Sequence, residues 1–147
     1  CQYKVAIGLQ YDGELVSLMT FGKSRFNSTN AWELLRYCSS TAVTGGSSKL
    51  LTYFEKTHCP TTLISYSDNR WFNGNMYLKL GFHQNKTTIG YQYTDYKNRY
   101  NRQQFQKHKL VQAGHSATQT EWEIMQTLKY DRIWDCGQIC WVKNFDK

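Results

Sequence analysis

Apolar and polar positions alternate from the start of the chain. Tyr3, Val5, Ile7 and Leu9 interleave with Lys4, Ala6, Gly8 and Gln10, the period-two pattern of a half-buried strand. Asp12-Gly13 follows, a dipeptide that tolerates positive φ and predicts a hairpin. Leu15 to Phe21 reads as the returning strand, and the polar, basic stretch from Gly22 to Asn30 as a loop. Ala31 to Cys38 is a third strand, with a helix as the rival reading of Trp32-Glu33-Leu34-Leu35-Arg36. From Ser47 to His58 the period changes. Leu50, Leu51 and Phe54 fall on one helical face, Ser47 is placed to cap the start, and Pro60 lies just past the end.

A short strand over Thr62 to Tyr66 comes next, then a short helix over Asn75 to Leu80 that Gly81 stops. Two more strands fit Phe82 to Ile89 and Gly90 to Thr94. Gln103 to Leu110 reads as helical, as does Glu121 to Leu128, where Thr120 and Glu123 stand at capping-box spacing. Arg132 to Cys136 and Ile139 to Val142 predict a final hairpin about Gly137. This order gives an α+β fold: a twisted, mostly antiparallel sheet with helices on its faces. The length of 147 residues suits one domain over 1–147, with a basic helical extension over 97–130. The chain begins at Cys1, and we read it as a piece of a longer protein lacking its N-terminal part.

Charge adds a partner. Eighteen Lys and Arg against eleven Asp and Glu give a formal charge of +7, which favours a polyanion, DNA first. Lys97, Arg99, Arg102, Lys107 and Lys109 lie in an acid-free stretch with Tyr93, Tyr96, Tyr100 and Phe105 in or beside it. Such cations contact phosphates and such rings stack on bases; the plainer reading is a solvated face over buried rings. Lys23, Arg25 and Arg36 are further candidate phosphate contacts. No apolar run approaches the roughly 20 residues that span a bilayer, so no membrane partner is expected. An odd cysteine count without an export signal points to free thiols in the cytoplasm. Cys136 and Cys140 with His58-Cys59 are a possible zinc set, but the spacing suits packed thiols better, and no metal is expected.

Candidate chemistry centres on Gly45-Gly46-Ser47-Ser48. Glycines at a helix start present bare amides that bind phosphate or pyrophosphate, or they form only a tight turn. The expectation is that the amides of Gly46, Ser47 and Ser48 face an open groove between the third and fourth strands, with Arg36 and Lys49 adding charge. Glu33 and Asp68, with Tyr66, are candidates for acid–base work. The alternatives are that Glu33 pairs with Arg36 or Lys49 and that Asp68 caps the turn after it.

The succession from Glu33-Leu34-Leu35-Arg36 through Gly45-Gly46-Ser47-Ser48 and Ile64-Ser65-Tyr66-Ser67-Asp68 to Tyr77-Leu78-Lys79-Leu80-Gly81-Phe82 resembles the cofactor-binding half of the Gcn5-related acetyltransferases (GNAT). The resemblance implies that the glycine turn cradles the pyrophosphate of acetyl-CoA or another acyl-CoA, with Tyr77 lining the acyl channel. Glu33-Leu34-x-Arg36, Ser47 or Ser48 on the helix, Ser65-Tyr66-Ser67-Asp68 and Gly74-x-x-Tyr77 are also similar to the phage Mom family, whose members modify adenine in DNA. Glu14 to Gly22, Trp32 to Cys38, Gly45 to Leu50, Ile64 to Asp68 and Asp135-Cys136-Gly137 together resemble the C-terminal region of phage homing endonucleases with a Vsr-like nuclease domain. That resemblance implies a mobile-element, phage-encoded protein of the bacterial cytoplasm. This chain would then be an accessory DNA-interaction domain beside an N-terminal nuclease domain. An active acyltransferase or Mom-like DNA-modifying enzyme is the alternative.

Overall fold

The computed structural model describes residues 3–24 and 31–145. Arg25, named above as a phosphate contact, lies outside them. The chain divides into two compact units, Cys1–Thr88 with Gln138–Lys147 and Ile89–Gly137.

The first unit is built on a six-stranded sheet. It holds β1 (Val5–Tyr11), β2 (Glu14–Lys23), β3 (Trp32–Ser39), β4 (Thr62–Asp68), β5 (His83–Thr88) and β9 (Gln138–Asn144), in the order β1-β2-β3-β4-β9-β5. Every neighbouring pair is antiparallel except β3 and β4. The β1–β2 turn takes φ of 52° at Asp12 and 81° at Gly13, as the dipeptide requires. Gly22 and Lys23, expected in a loop, continue β2 instead, paired with Glu33 and Trp32.

Helix α1 (Gly46–His58) covers one face of this sheet. Its apolar stripe of Leu50, Leu51 and Phe54 is at most 2% exposed and packs with Met19, Phe21, Leu34 and Leu63. Phe54 stacks on Phe21 at 3.6 Å between ring centroids. The expected Ser47 cap does not form. The N-cap is Gly45 at φ 71°, without a side-chain bond, because the chain enters the helix through a left-handed residue. Helix α2 (Asn75–Lys79) is short and ends at Leu80, with Gly81 at φ 79° beyond it.

The second unit holds β6 (Tyr91–Thr94), β7 (Arg99–Asn101), a 3-10 turn (Arg102–Phe105), α3 (Lys107–Gln112), α4 (Glu121–Thr127) and β8 (Asp131–Trp134). Its sheet runs β7-β6-β8, and its core is Tyr93, Leu110, Ile124 and Met125. The capping box at Thr120 and Glu123 forms with both bonds. The final hairpin does not. β8 pairs with β6, whereas β9 inserts between β4 and β5. Asp135 directs this parting: its Oδ1 accepts from the amides of Gly90 (2.9 Å) and Gly137 (2.8 Å). Alternation alone does not distinguish a strand that pairs with its neighbour from one that leaves for another sheet.

Candidate active site

The parallel pair β3–β4 is short. Only Trp32–Leu63 and Glu33–Ile64 are in register, although β3 runs on to Ser39 and β4 to Asp68. Beyond that point the strands part. Ser65, 2% exposed, marks the fork: its Oγ donates to the Leu34 carbonyl at 2.9 Å, taking the place of the next backbone rung. The outer edges of β3 and β4 are held by β2 and β9, so the inner edges past the fork offer backbone amides and carbonyls to a ligand.

A groove of about 750 Å³ lies in this fork, lined by Leu35–Cys38, Tyr66–Asp68 and Phe72–Tyr77. A second cavity of about 820 Å³ is lined by Thr20, Glu33, Tyr66, Lys86 and Gln138 among others. Leu35, Arg36, Tyr66 and Gln138 line both, so the two meet through the fork. Both volumes fall within the range of small-molecule sites.

Tyr77 stands in the groove. Its ring stacks on Trp141 (5.2 Å, 7° between planes), whose Nε1 donates to Ser67 Oγ at 2.8 Å. The Tyr77 hydroxyl lies 2.9 Å from Ser65 Oγ. The same hydroxyl also reaches the Tyr66 carbonyl at 3.4 Å, to which it donates. Burial raises the Tyr77 pKa above the ordinary phenol value, with the Ser65 hydrogen bond opposing. Gly74, before α2, has φ 79°, and a Cβ there would run into the Trp141 ring. The strand–helix turn, the indole and the phenol are therefore one fitted set.

Of the residues singled out in the sequence, Glu33, Arg36, Tyr66, Asp68 and Tyr77 all line the fork or its cavity. Glu33 and Asp68 do not form a pair. Ile64, the register partner of Glu33, precedes Asp68 by four residues, about 13 Å along a strand. Asp68 Oδ1 accepts from the amide of Arg70 at 2.8 Å, the turn-capping role. Glu33 is 3% exposed on the cavity side.

The glycine turn departs from expectation. Gly46 is buried and its amide donates to the Val43 carbonyl at 3.0 Å, so it is not offered to a groove. The amides of Ser47 and Ser48 have no acceptor among the described residues. Gly45 is open, with nothing within 4 Å of its Cβ direction. None of Gly45 to Ser48 lines either cavity. Sequence reasoning missed Ser65, Ser67 and Trp141; the signal was two small polar residues alternating with Ile64 and Tyr66, facing the only tryptophan of the last strand.

In the second unit, Arg102 Nε pairs with Glu121 at 3.2 Å and Lys109 Nζ donates to the Gln103 carbonyl at 2.7 Å. Lys97, Arg99 and Lys107 are exposed. Among the described residues no group of three or more His, Cys, Asp or Glu could hold a metal. Cys38, Cys59, Cys136 and Cys140 are free thiols.

The fold has counterparts among known structures. An acetyltransferase from Bacillus subtilis, solved in complex with CoA, matches at a TM-score of 0.55 and 12% identity over 96% of this chain and 76% of its own. An N-acetyltransferase from Staphylococcus aureus Mu50 matches at 0.52 and 15% identity over 95% of this chain and 66% of its own. The chain has the GNAT acetyltransferase fold. No family model and no curated protein matches it. Among the described residues no helix is long and apolar enough to cross a membrane.

Proposed function

We propose that the chain is a CoA-dependent acyltransferase that takes its acyl donor in the fork and its acceptor in the adjoining cavity. The observation that carries this is the fork itself: two strand edges left unpaired, opening on one side to a groove and on the other to a cavity. A donor with amide groups along its length suits such edges, because each amide replaces a missing rung. Helix α1 starts just past the end of β3, and the unclaimed amides of Ser47 and Ser48 suit a pyrophosphate there. A bound acyl-CoA supplies an activated thioester.

The side chains around the fork then have separate tasks. Glu33, on the cavity side, takes a proton from the attacking amine. Tyr77, held by Ser65, gives a proton to the departing sulfur. In balance, a nitrogen–carbon bond forms, the carbon–sulfur bond breaks, and one proton passes from nitrogen to sulfur. Tyr66 separates groove from cavity, and Asp68 shapes the turn into α2.

Thiol release from acetyl-CoA in the presence of a panel of primary amines tests this reading. Acceptor-dependent release supports it. Hydrolysis at an equal rate with and without every amine would sink it.

A DNA-contacting role has a narrower basis in the charge of +7. Arg102 and Lys109 of the acid-free segment already have partners within the chain, and neither structural neighbour is described as a nuclease or DNA-modifying enzyme.

A further inference from the structure

The described strands present four outer edges, and three of them are guarded. β5, at one end of the six-stranded sheet, is polar and exposed at all six positions, carries Lys86, and shifts register between Gln84 and Lys86. In the three-stranded sheet β7 has only three residues, Arg99 among them, and β8 only four, Asp131 and Arg132 among them. Short length, charge and broken register are the usual means by which a sheet keeps other chains off its edges. β1, the remaining edge, has none of them. Its seven residues, Val5–Tyr11, include no charged residue and no proline. Its register against β2 shifts where Leu9 pairs with Ser17 and Gln10 with Leu15, so the extra residue is Val16 of β2 and β1 itself is unbroken. Among the described residues no strand pairs with the far side of β1.

Both faces of this edge are apolar. Val5, Ile7 and Leu9 are half-buried and pack against the core that α1 covers. On the opposite face Gly8 has no side chain and Leu15 takes its place: a Cβ on Gly8 would meet Leu15 Cδ1 at 2.6 Å. Leu15 is nevertheless 53% exposed, and Tyr11, at the end of the strand, 76%. We infer that β1 pairs antiparallel with β1 of a second copy of the chain, about a two-fold axis at Gly8, joining two sheets into one. The strand is self-complementary in that register. Gly8 faces Gly8, Ile7 faces Leu9, Ala6 faces Gln10 and Val5 faces Tyr11, and no charge meets a like charge. The Ile7–Leu9 pairs continue the core across the junction, and the two Leu15 side chains cover its other face. The free amides and carbonyls of β1 gain partners. The inference does not rest on the acyltransferase reading, since neither Ala6 nor Gln10 lines the groove or the cavity.

Sedimentation equilibrium of the full chain, from micromolar to millimolar concentration, tests this. The mass is expected to rise from one chain to two and stop there, because a two-fold contact closes on itself. Ala6→Lys with Gln10→Lys sets like charges opposite each other at two symmetric positions and is expected to weaken the dimer by about tenfold or more. Both sites are exposed, so thermal unfolding and acetyl-CoA affinity should be unchanged. Ala6→Glu with Gln10→Glu is expected to be as weak alone and to restore a dimer when mixed with the lysine variant, a rescue that misfolding does not produce. A single-chain mass at every concentration, growth beyond two chains, an unweakened dimer in the lysine variant, or no dimer in the mixture would overturn the inference.

Discussion

Tyr77 has three constraints on one ring: the Trp141 stack, the Ser65 hydrogen bond and the turn at Gly74. Tyr77→Phe removes the hydroxyl and keeps the ring that stacks on Trp141. We expect kcat to fall about a hundredfold, the range of general acid catalysis, with acetyl-CoA affinity unchanged. An unchanged kcat in a single-turnover assay would remove Tyr77 from the chemistry. Since the Tyr77 pKa lies above the ordinary phenol value, its proton stays in place through neutral pH, and loss of rate by its ionisation is confined to strongly alkaline solution. Gly74→Ala combines a left-handed φ with a collision against Trp141 and should cost about 2–4 kcal/mol in denaturant unfolding. At this scale the sequence showed Glu33, Arg36, Tyr66, Asp68 and Tyr77, because each carries acid–base or charged chemistry or falls in a stretch that resembles the GNAT family. It hid Ser65, since nothing local says that a serine will bond the carbonyl of a residue thirty-one positions earlier.

Among the elements, α1 and α4 were legible because their signals are local: one apolar stripe, and one capping box. Thr120→Ala should lower stability by about 1 kcal/mol through loss of that box. The fork was not legible. Whether β3 and β4 stay paired or part depends on their outer partners, β2 and β9, and β9 lies far along the chain. The turn after β6 adds a pH dependence. Asp95 accepts from the amides of Lys97 and Asn98 and from the Tyr100 hydroxyl, which together hold its pKa at about 2 against an ordinary 3.8. A depressed folded pKa means the contribution is present above the unfolded value and lost as pH falls through the folded one. Acid titration followed by tyrosine fluorescence should show a loosening between about pH 4 and pH 2 that Asp95→Asn removes. An identical acid profile in the variant would show that this turn is not the source.

At the scale of the whole molecule, charge and fold separate. The first unit has eleven Lys and Arg against six Asp and Glu, while the second, which holds the acid-free segment, has seven against five. A run without acids in sequence gains them in space: Arg102 meets Glu121, and Glu121 also accepts from the Tyr91 and Tyr93 hydroxyls. The surplus thus sits mainly in the unit that carries the fork. The central claim is that the fork takes an acyl-CoA, and calorimetric titration of acetyl-CoA into the full chain tests it most directly, with Cys38→Trp as the comparison. Cys38 is exposed on the groove wall, so the substitution fills the groove without touching the core. The account predicts saturable one-to-one binding and at least tenfold weaker binding in Cys38→Trp at unchanged thermal stability. No binding at millimolar acetyl-CoA, or equal affinity in the filled variant, would contradict it.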